Sequence, residues 1–393
     1  MYVYLDNNST TPCAPEVLAK MLPYFAEEYA NAASPHEAGR AASSAITAAR
    51  QQVADAMGTK PECVIFTGSA TESNNLAILG VANKRHSRRK LVVSAVEHKS
   101  VLEPAFHLRQ HGYAVEIIPV DRNGVVDLYE AGKLIDDQTL IVSIQGANNE
   151  TGVIQPIRQI VQLAHDRGAL CHSDAAQILG KVPVNIEELG VDIACFSAHK
   201  MYGPKGIGAL FVAPHMTGTI SPISFGGHQE RGLRPGTQNV PAIVGFGCAC
   251  QVARDLVRSD AKRINLLREK LESDLLTTIP ESRVNASNVT RLPGTISLTI
   301  PGTPADMLIA NLPTVCISNG SACNSGALEP SHVLLAMNFS RAEAESTLRI
   351  SLGRYTTEKD VVMASREIAD ASCRLRTQLN RSGNRALSTG GHT

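Results

Sequence analysis

The stretch Ile193-Ala194-Cys195-Phe196-Ser197-Ala198-His199-Lys200-Met201-Tyr202-Gly203-Pro204-Lys205-Gly206-Ile207-Gly208 decides how the fold is read. Ile193–Ser197 is almost wholly apolar, as a strand buried on both faces should be. A glycine-rich turn follows, so Lys200 should emerge at the carboxyl end of that strand, where open α/β sheets place their ligands. Partial burial there disfavours the ammonium and favours the neutral amine that a Schiff base needs. Taken alone, a lysine on such a turn reads more simply as a surface residue. The GxxGxG spacing of Gly203, Gly206 and Gly208 is a weak sign of phosphate binding.

Working outward, short β-branched runs alternate with helical ones. The strands expected are Cys63–Phe66, Lys90–Ser94, Val115–Pro119, Leu140–Ile144, Ala169–His172, Ile193–Ser197 and Gly208–Val212. Helices are expected at Thr71–Ala82, Val101–His111 and Pro156–Asp166, and a long Ala-rich one from His36 to Met57, closed by Gly58. This alternation predicts an α/β fold with a mainly parallel seven-stranded sheet flanked by helices. A second long helix, from Val240 to about Leu276, leads to fewer strands (Gly294–Ile300, Val315–Ser318, Thr347–Leu352), which suggest a smaller α+β domain. The expected division is an N-terminal segment 1–15 packing with the small domain, a large domain 16–255, and a small domain 256–380. The polar tail 381–393 is expected to be disordered.

Composition narrows the function. Of 393 residues, 37 are Lys or Arg and 37 are Asp or Glu, so no net field favours nucleic acid or an anionic membrane. The basic run Lys84, Arg85, Arg88, Arg89 and Lys90 reads as a solvated loop or helix end. The start, MYVYLDNNSTTP, lacks the pattern of a signal peptide, and no stretch approaches the ~20 apolar residues of a membrane helix. A cytoplasmic protein is expected. The nine cysteines are an odd number with no CxxC pair, which fits neither a disulfide framework nor a structural zinc site.

Two further segments give Lys200 its context. The strand Ala169–His172 leads into Ser173-Asp174-Ala175-Ala176-Gln177, and a carboxylate there would hold a pyridine nitrogen protonated. The strand Cys63–Phe66 runs into Thr67-Gly68-Ser69-Ala70-Thr71-Glu72, where a helix N-terminus offers an anion site. A lysine, an aspartate and a phosphate cradle are what pyridoxal 5′-phosphate (PLP) requires.

In order, the chain carries LDNNSTTP, FTGSATESNN, VEHKSV, ANNETG, HSDAAQ, FSAHKMYGPKGIGAL, GGHQERGLRPGTQNV, SNGSACNSG and LRISLGR. With these, from Tyr4 to about Tyr355, it resembles a cysteine desulfurase of the NifS/IscS type, within the class V, fold type I PLP-dependent aminotransferase superfamily. The resemblance implies that Lys200 holds the cofactor, Asp174 pairs with the ring nitrogen and Gln177 bonds the phenolic oxygen. It implies that His98 stacks on the ring and moves protons, and that Ala70, Thr71, Ser197 and His199 bind the phosphate. Thr237 resembles the residue that reaches the neighbouring subunit's cofactor, which implies a homodimer with shared sites. Asn149 and Arg349 would hold the substrate carboxylate. The Gly68-Ser69 order departs from the family's usual Ser-Gly.

Cys323 lies among small and polar residues, Ser318 to Gly326, which read as a loop. By resemblance to the family's SGSAC motif it would take the sulfur of L-cysteine as a persulfide, leaving alanine, and pass it to an acceptor protein. Cys316, in an apolar strand, reads as a packing residue. The region after Leu379 lacks the apolar and aromatic segment that IscS proteins use for their iron–sulfur scaffold. Iron–sulfur assembly, tRNA thiolation and DNA phosphorothioation all stay open as pathways. The alternatives are another class V enzyme, such as an aminotransferase or selenocysteine lyase, and a non-catalytic dimeric scaffold.

Overall fold

The computed structural model describes residues 2–84, 87–216, 218–320 and 329–389. Across the main sheet the strands lie in the order Val64–Thr67, Gly208–Val212, Ile193–Ser197, Leu170–Asp174, Thr139–Ser143, Lys90–Ser94 and Ala114–Ile118. Gly208–Val212 is antiparallel to both neighbours, and the other pairings are parallel. The expected seven-stranded, mainly parallel sheet is present. Helices Ala70–Ala82, Lys99–Gln110 and Ile157–His165 connect its strands. The Ala-rich helix spans Glu37–Met57, is capped by the His36 ring and ends at Gly58 with φ +71°. Only glycine adopts that angle without strain.

A second sheet has the order Ser318–Asn319, Thr347–Ser351, Thr295–Thr299 and Arg283–Val284, all antiparallel. Its core gathers Leu271, Leu275, Ile296, Leu298, Ile350 and Ile368, together with Val3 and Leu5 from the start of the chain. The strand read as Val315–Ser318 is two pieces. Val315–Cys316 pairs with Val3–Tyr4, whereas Ser318–Asn319 pairs with Thr347–Ser351. The break at Ile317 arises because the two pieces have different partners.

Helix Val240–Thr278 has 39 residues, about 58 Å at 1.5 Å per residue, and joins the two cores. Its first turns bury Ile243, Phe246 and Cys250 under the main sheet, and its end buries Leu271 and Leu275 in the smaller core. The division placed at residue 255 falls inside this helix. Its first part is also long and apolar enough to cross a membrane, which corrects the expectation that no stretch came near that length. Here that apolar face packs against the fold's own core.

The final helix, Glu358–Thr389, also corrects an expectation, since it continues through most of the tail read as disordered; residues 390–393 lie outside the described residues. Leu375 and Leu379 pack on the smaller core, and extending a helix already anchored costs far less than starting one. Among the described residues, eight cysteines are present and all are free thiols.

Candidate active site

A cavity of about 340 Å3 opens at the carboxyl ends of the parallel strands. Ala70, Thr71, His98, Asn149, Asp174, Gln177, Ser197, His199, Lys200 and Arg349 all line it. Thr237 is exposed and is not among the residues that line it, and Cys323 lies outside the described residues. Gly320 and Ser331, on either side of the Cys323 segment, both lie against Glu150: a side chain at Gly320 would collide with its carboxylate, and Ser331 Oγ donates to it. The chain therefore enters and leaves that segment beside Asn149.

Lys200 sits where a strand must reverse. Ile193–Ser197 ends in the short turn Ala198–Lys200, and the chain returns antiparallel with Ser197 opposite Gly208. A Cβ on Gly208 would lie 2.6 Å from the Phe196 carbonyl oxygen and 2.8 Å from Ser69, so glycine allows the strand and the Ser69–Ala70 turn to meet. The GxxGxG run is thus a hairpin rather than an anion loop. Lys200 Nζ donates to the carbonyls of Asn8 and Ser9 at 2.6 and 2.7 Å. It is the lysine that lines the cavity among the described residues.

Asp174, buried at the end of Leu170–Asp174, accepts from Asn74 Nδ2 at 2.8 Å and from the Ala176 amide at 3.1 Å. The same Asn74 amide donates to Ser100 Oγ at 2.8 Å, which lies 2.7 Å from His98 Nδ1. The Ser100 backbone N–H also points at His98 Nδ1, at 3.1 Å. An N–H can only donate, so in the neutral ring Nδ1 is the acceptor and the proton sits on Nε2. One amide therefore ties the carboxylate to the histidine.

The anion end is the first turn of Ala70–Ala82. Ser69 Oγ caps the Glu72 amide at 3.1 Å, so this hydroxyl, whose position departs from the family pattern, serves the helix itself. The amides of Ala70 and Thr71 lie outside the helix's own ladder and face the positive dipole end. His199 lies across from them, its Nδ1 3.1 Å from Thr10 Oγ1. Burial first, then the positive charges of Lys200, Lys205 and Lys181, push its pKa down to about 4. At neutral pH it is a neutral hydrogen-bonding group.

At the opposite end, Arg349 is 3% exposed, which makes its one carboxylate partner decisive. Its guanidinium donates to Asp6 Oδ1 at 2.9 Å and to Ser9 Oγ, and lies 3.5 Å from the Asn149 carbonyl. Its Nε is buried without a partner among the described residues. Glu150, next to Asn149, has a pKa raised to about 7 by burial, against the opposing pull of Ser331, Arg349 and His98. Sequence reading missed Asn8, Ser9, Ser100 and Gln145 on the cavity wall, and Asn74 and Lys181 just behind it. Asn74 carried one signal, a polar residue on the inner face of an apolar helix.

This donor set fits PLP. A helix N-terminus with small residues suits the phosphate, a doubly hydrogen-bonded carboxyl group suits a pyridinium, and a lysine amine lines the same cavity. The arginine beyond suits the carboxylate of an amino acid.

Comparison with known proteins points the same way. The family model "Aminotransferase class-V" matches residues 3–363. The cysteine desulfurase IscS of Rickettsia felis is 40% identical over 361 residues, covering 91% of this chain and 88% of that protein. A solved NifS-like protein superposes with a TM-score of 0.88 at 38% identity, covering 94% of this chain and 99% of its own. SspA, solved in complex with cysteine, gives 0.80 at 35% identity, covering 90% and 99%.

Proposed function

The chain belongs to the aminotransferase class V family and is a PLP-dependent cysteine desulfurase, and from that premise we propose how its residues divide the work. When bound, PLP supplies an aldehyde that takes up amines and a ring that accepts the electron pair released at the α carbon. Lys200 would hold the aldehyde, and its amine is placed to take the α proton. Asp174 would keep the ring nitrogen protonated. Ala70, Thr71, Ser197 and His199 would hold the phosphate, Gln177 would donate to the phenolic oxygen, and His98 would offer its Nε2–H beside the ring for proton transfer.

Arg349 and Asn149 orient L-cysteine by its carboxylate. The Cys323 thiolate attacks the substrate sulfur. The S–S bond forms as the C–S bond breaks, the released electron pair ends as a C–H bond on the β carbon, and alanine leaves with its sulfur retained on Cys323. The balance is cysteine plus thiol to alanine plus persulfide.

The persulfide then goes to an acceptor protein, in iron–sulfur assembly, tRNA thiolation or DNA phosphorothioation. Exposed Thr237 fits a homodimer in which each chain completes the other's phosphate site. The eight free thiols among the described residues fit a cytoplasmic setting.

The observation that carries this reading is Lys200, Asp174 and Arg349 around one cavity. Mass spectrometry after incubation with L-cysteine tests it. The expected result is one added sulfur on Cys323 with matching alanine, and its loss in Cys323→Ala, which still binds PLP. Sulfide release at the full rate by Cys323→Ala, or retention of PLP by Lys200→Ala after dialysis, would overturn it.

A further inference from the structure

Lys181 follows Gln177 by four residues, and its amine end is buried beside the cavity although it does not line it. Among the described residues it has no carboxylate within ion-pair distance. Asp260 lines a small cleft together with Lys181 and Lys200 but is paired with Arg354 Nε at 2.7 Å. Lys181 Nζ instead donates to Gln177 Oε1, and to Asn8 Oδ1 at 2.8 Å. A buried amine with two amide oxygens for partners, and no charge partner, asks what those amides are doing.

Each amide is held at both ends. Gln177 Nε2 donates to the Asn8 carbonyl at 3.0 Å, and Asn8 Nδ2 donates to the Asn149 carbonyl at 3.1 Å and to Thr295 Oγ1 at 2.9 Å. A carbonyl oxygen can only accept, so the NH2 end of each amide must face it, and the oxygen end must face Lys181. The second N–H of Gln177 is thereby a donor for an oxygen in the cavity. The Asn149 carbonyl that takes Asn8 Nδ2 is the one beside Arg349.

We propose that Lys181 is a positioning residue of this active site, fixing the amides of Gln177 and Asn8 so that the cofactor's oxygen meets an N–H and the Asn149–Arg349 pair keeps its place. The inference rests on the desulfurase reading and extends it to a residue that touches neither cofactor nor substrate. Burial, then the charges of Lys200 and Arg349, hold the Lys181 pKa well below the usual lysine range. Without the amine, both amide oxygens are buried and unpaired, and either amide can turn over.

The test uses the full chain loaded with PLP, as wild type, Lys181→Met, Lys181→Gln, Gln177→Ala and the Lys181→Met/Gln177→Ala pair. Lys181→Met should still take up PLP, with a displaced absorption band and kcat lowered about tenfold or more, as expected for two lost buried hydrogen bonds. The double variant should lose clearly less than the product of the two single losses, because one of the two arms through which Lys181 acts is Gln177. Lys181→Gln, which restores one donor, should recover part of the loss, and it serves as the test variant if Lys181→Met fails to fold. A wild-type band and kcat with only a lower Tm, or losses that multiply in the double variant, would overturn the proposal. A wild type that takes up no PLP would overturn the desulfurase reading instead.

Discussion

Asn74 Nδ2 donates to Asp174 Oδ2 at 2.8 Å, joining the helix Ala70–Ala82 to the end of the strand Leu170–Asp174 at the cavity wall. Both residues are buried, and the same amide reaches Ser100 and through it His98. The helix, the carboxylate and the histidine that line one cavity are thus held in register by a side chain one turn into the helix.

Replacing Asn74 by leucine keeps the volume near and removes the donor. A hydrogen bond to a charged partner contributes about 1.5–3 kcal/mol, so PLP affinity should fall about tenfold or more. Titration of apoenzyme with PLP measures this directly. An unchanged Kd in Asn74→Leu would mean that the Ala176 amide suffices to hold Asp174.

Arg349 should separate binding from chemistry. Its guanidinium is buried and shares Asp6 at 2.9 Å, so a forked cation sits fixed at the far end of the cavity. Lysine keeps the charge but loses the fork. Arg349→Lys should raise KM for L-cysteine about tenfold while changing kcat less, the pattern of lost uniform binding. Steady-state alanine formation reads both constants. A kcat loss with KM unchanged would place Arg349 on the reacting atoms rather than on the carboxylate.

The parts legible in the sequence are those set by neighbours along the chain. Ile193–Ser197 is a strand because of its own apolar run, and Lys200 follows from the turn after it. Lys181 and Asn8 are 173 residues apart and Lys200 and Asn8 are 192 apart, so nothing local could announce that the N-terminal segment passes under the active-site lysine. The division of Val315–Ser318 is hidden for the same reason, since its two partners are Val3–Tyr4 and Thr347–Ser351. The persistence of the last helix past Leu379 depends on apolar contacts made before that point, which composition of the tail itself does not reveal.

His172 gives stability an acid limit. It lies fully buried, with Nδ1 2.7 Å from Ser143 Oγ and Nε2 3.2 Å from Cys195 Sγ. Burial lowers its pKa to about 4, partly opposed by Asp174. A base with a depressed native pKa binds fewer protons in the folded state, so its contribution is present above about pH 6.5 and is lost as pH falls towards 4. The window is worth about 3 kcal/mol. His172→Gln should flatten the loss of denaturant-unfolding stability between pH 6.5 and 4, and an unchanged slope would assign acid sensitivity to other groups.

Glu150 should act with the opposite sign in nearly the same window. Its carboxyl is buried between Gly320 and Ser331, and its pKa is raised from 4.5 to about 7. An acid with a raised native pKa holds its proton more tightly when folded, so stability is fully present below about pH 4.5 and declines as pH rises to 7. The burial of the ionised form therefore costs about 3 kcal/mol at pH 8. Glu150→Gln keeps an oxygen for Ser331 Oγ and removes the charge. Its stability should stay level from pH 6.5 to 8, where the wild type still declines, and its advantage should vanish near pH 4. Because the wild-type decline offsets the histidine's gain over these pH values, the variant should also show a steeper net rise between pH 4.5 and 6.5. Parallel curves for the two proteins across the whole range would show that Glu150 is ionised in the folded chain at acidic pH and that burial does not govern it.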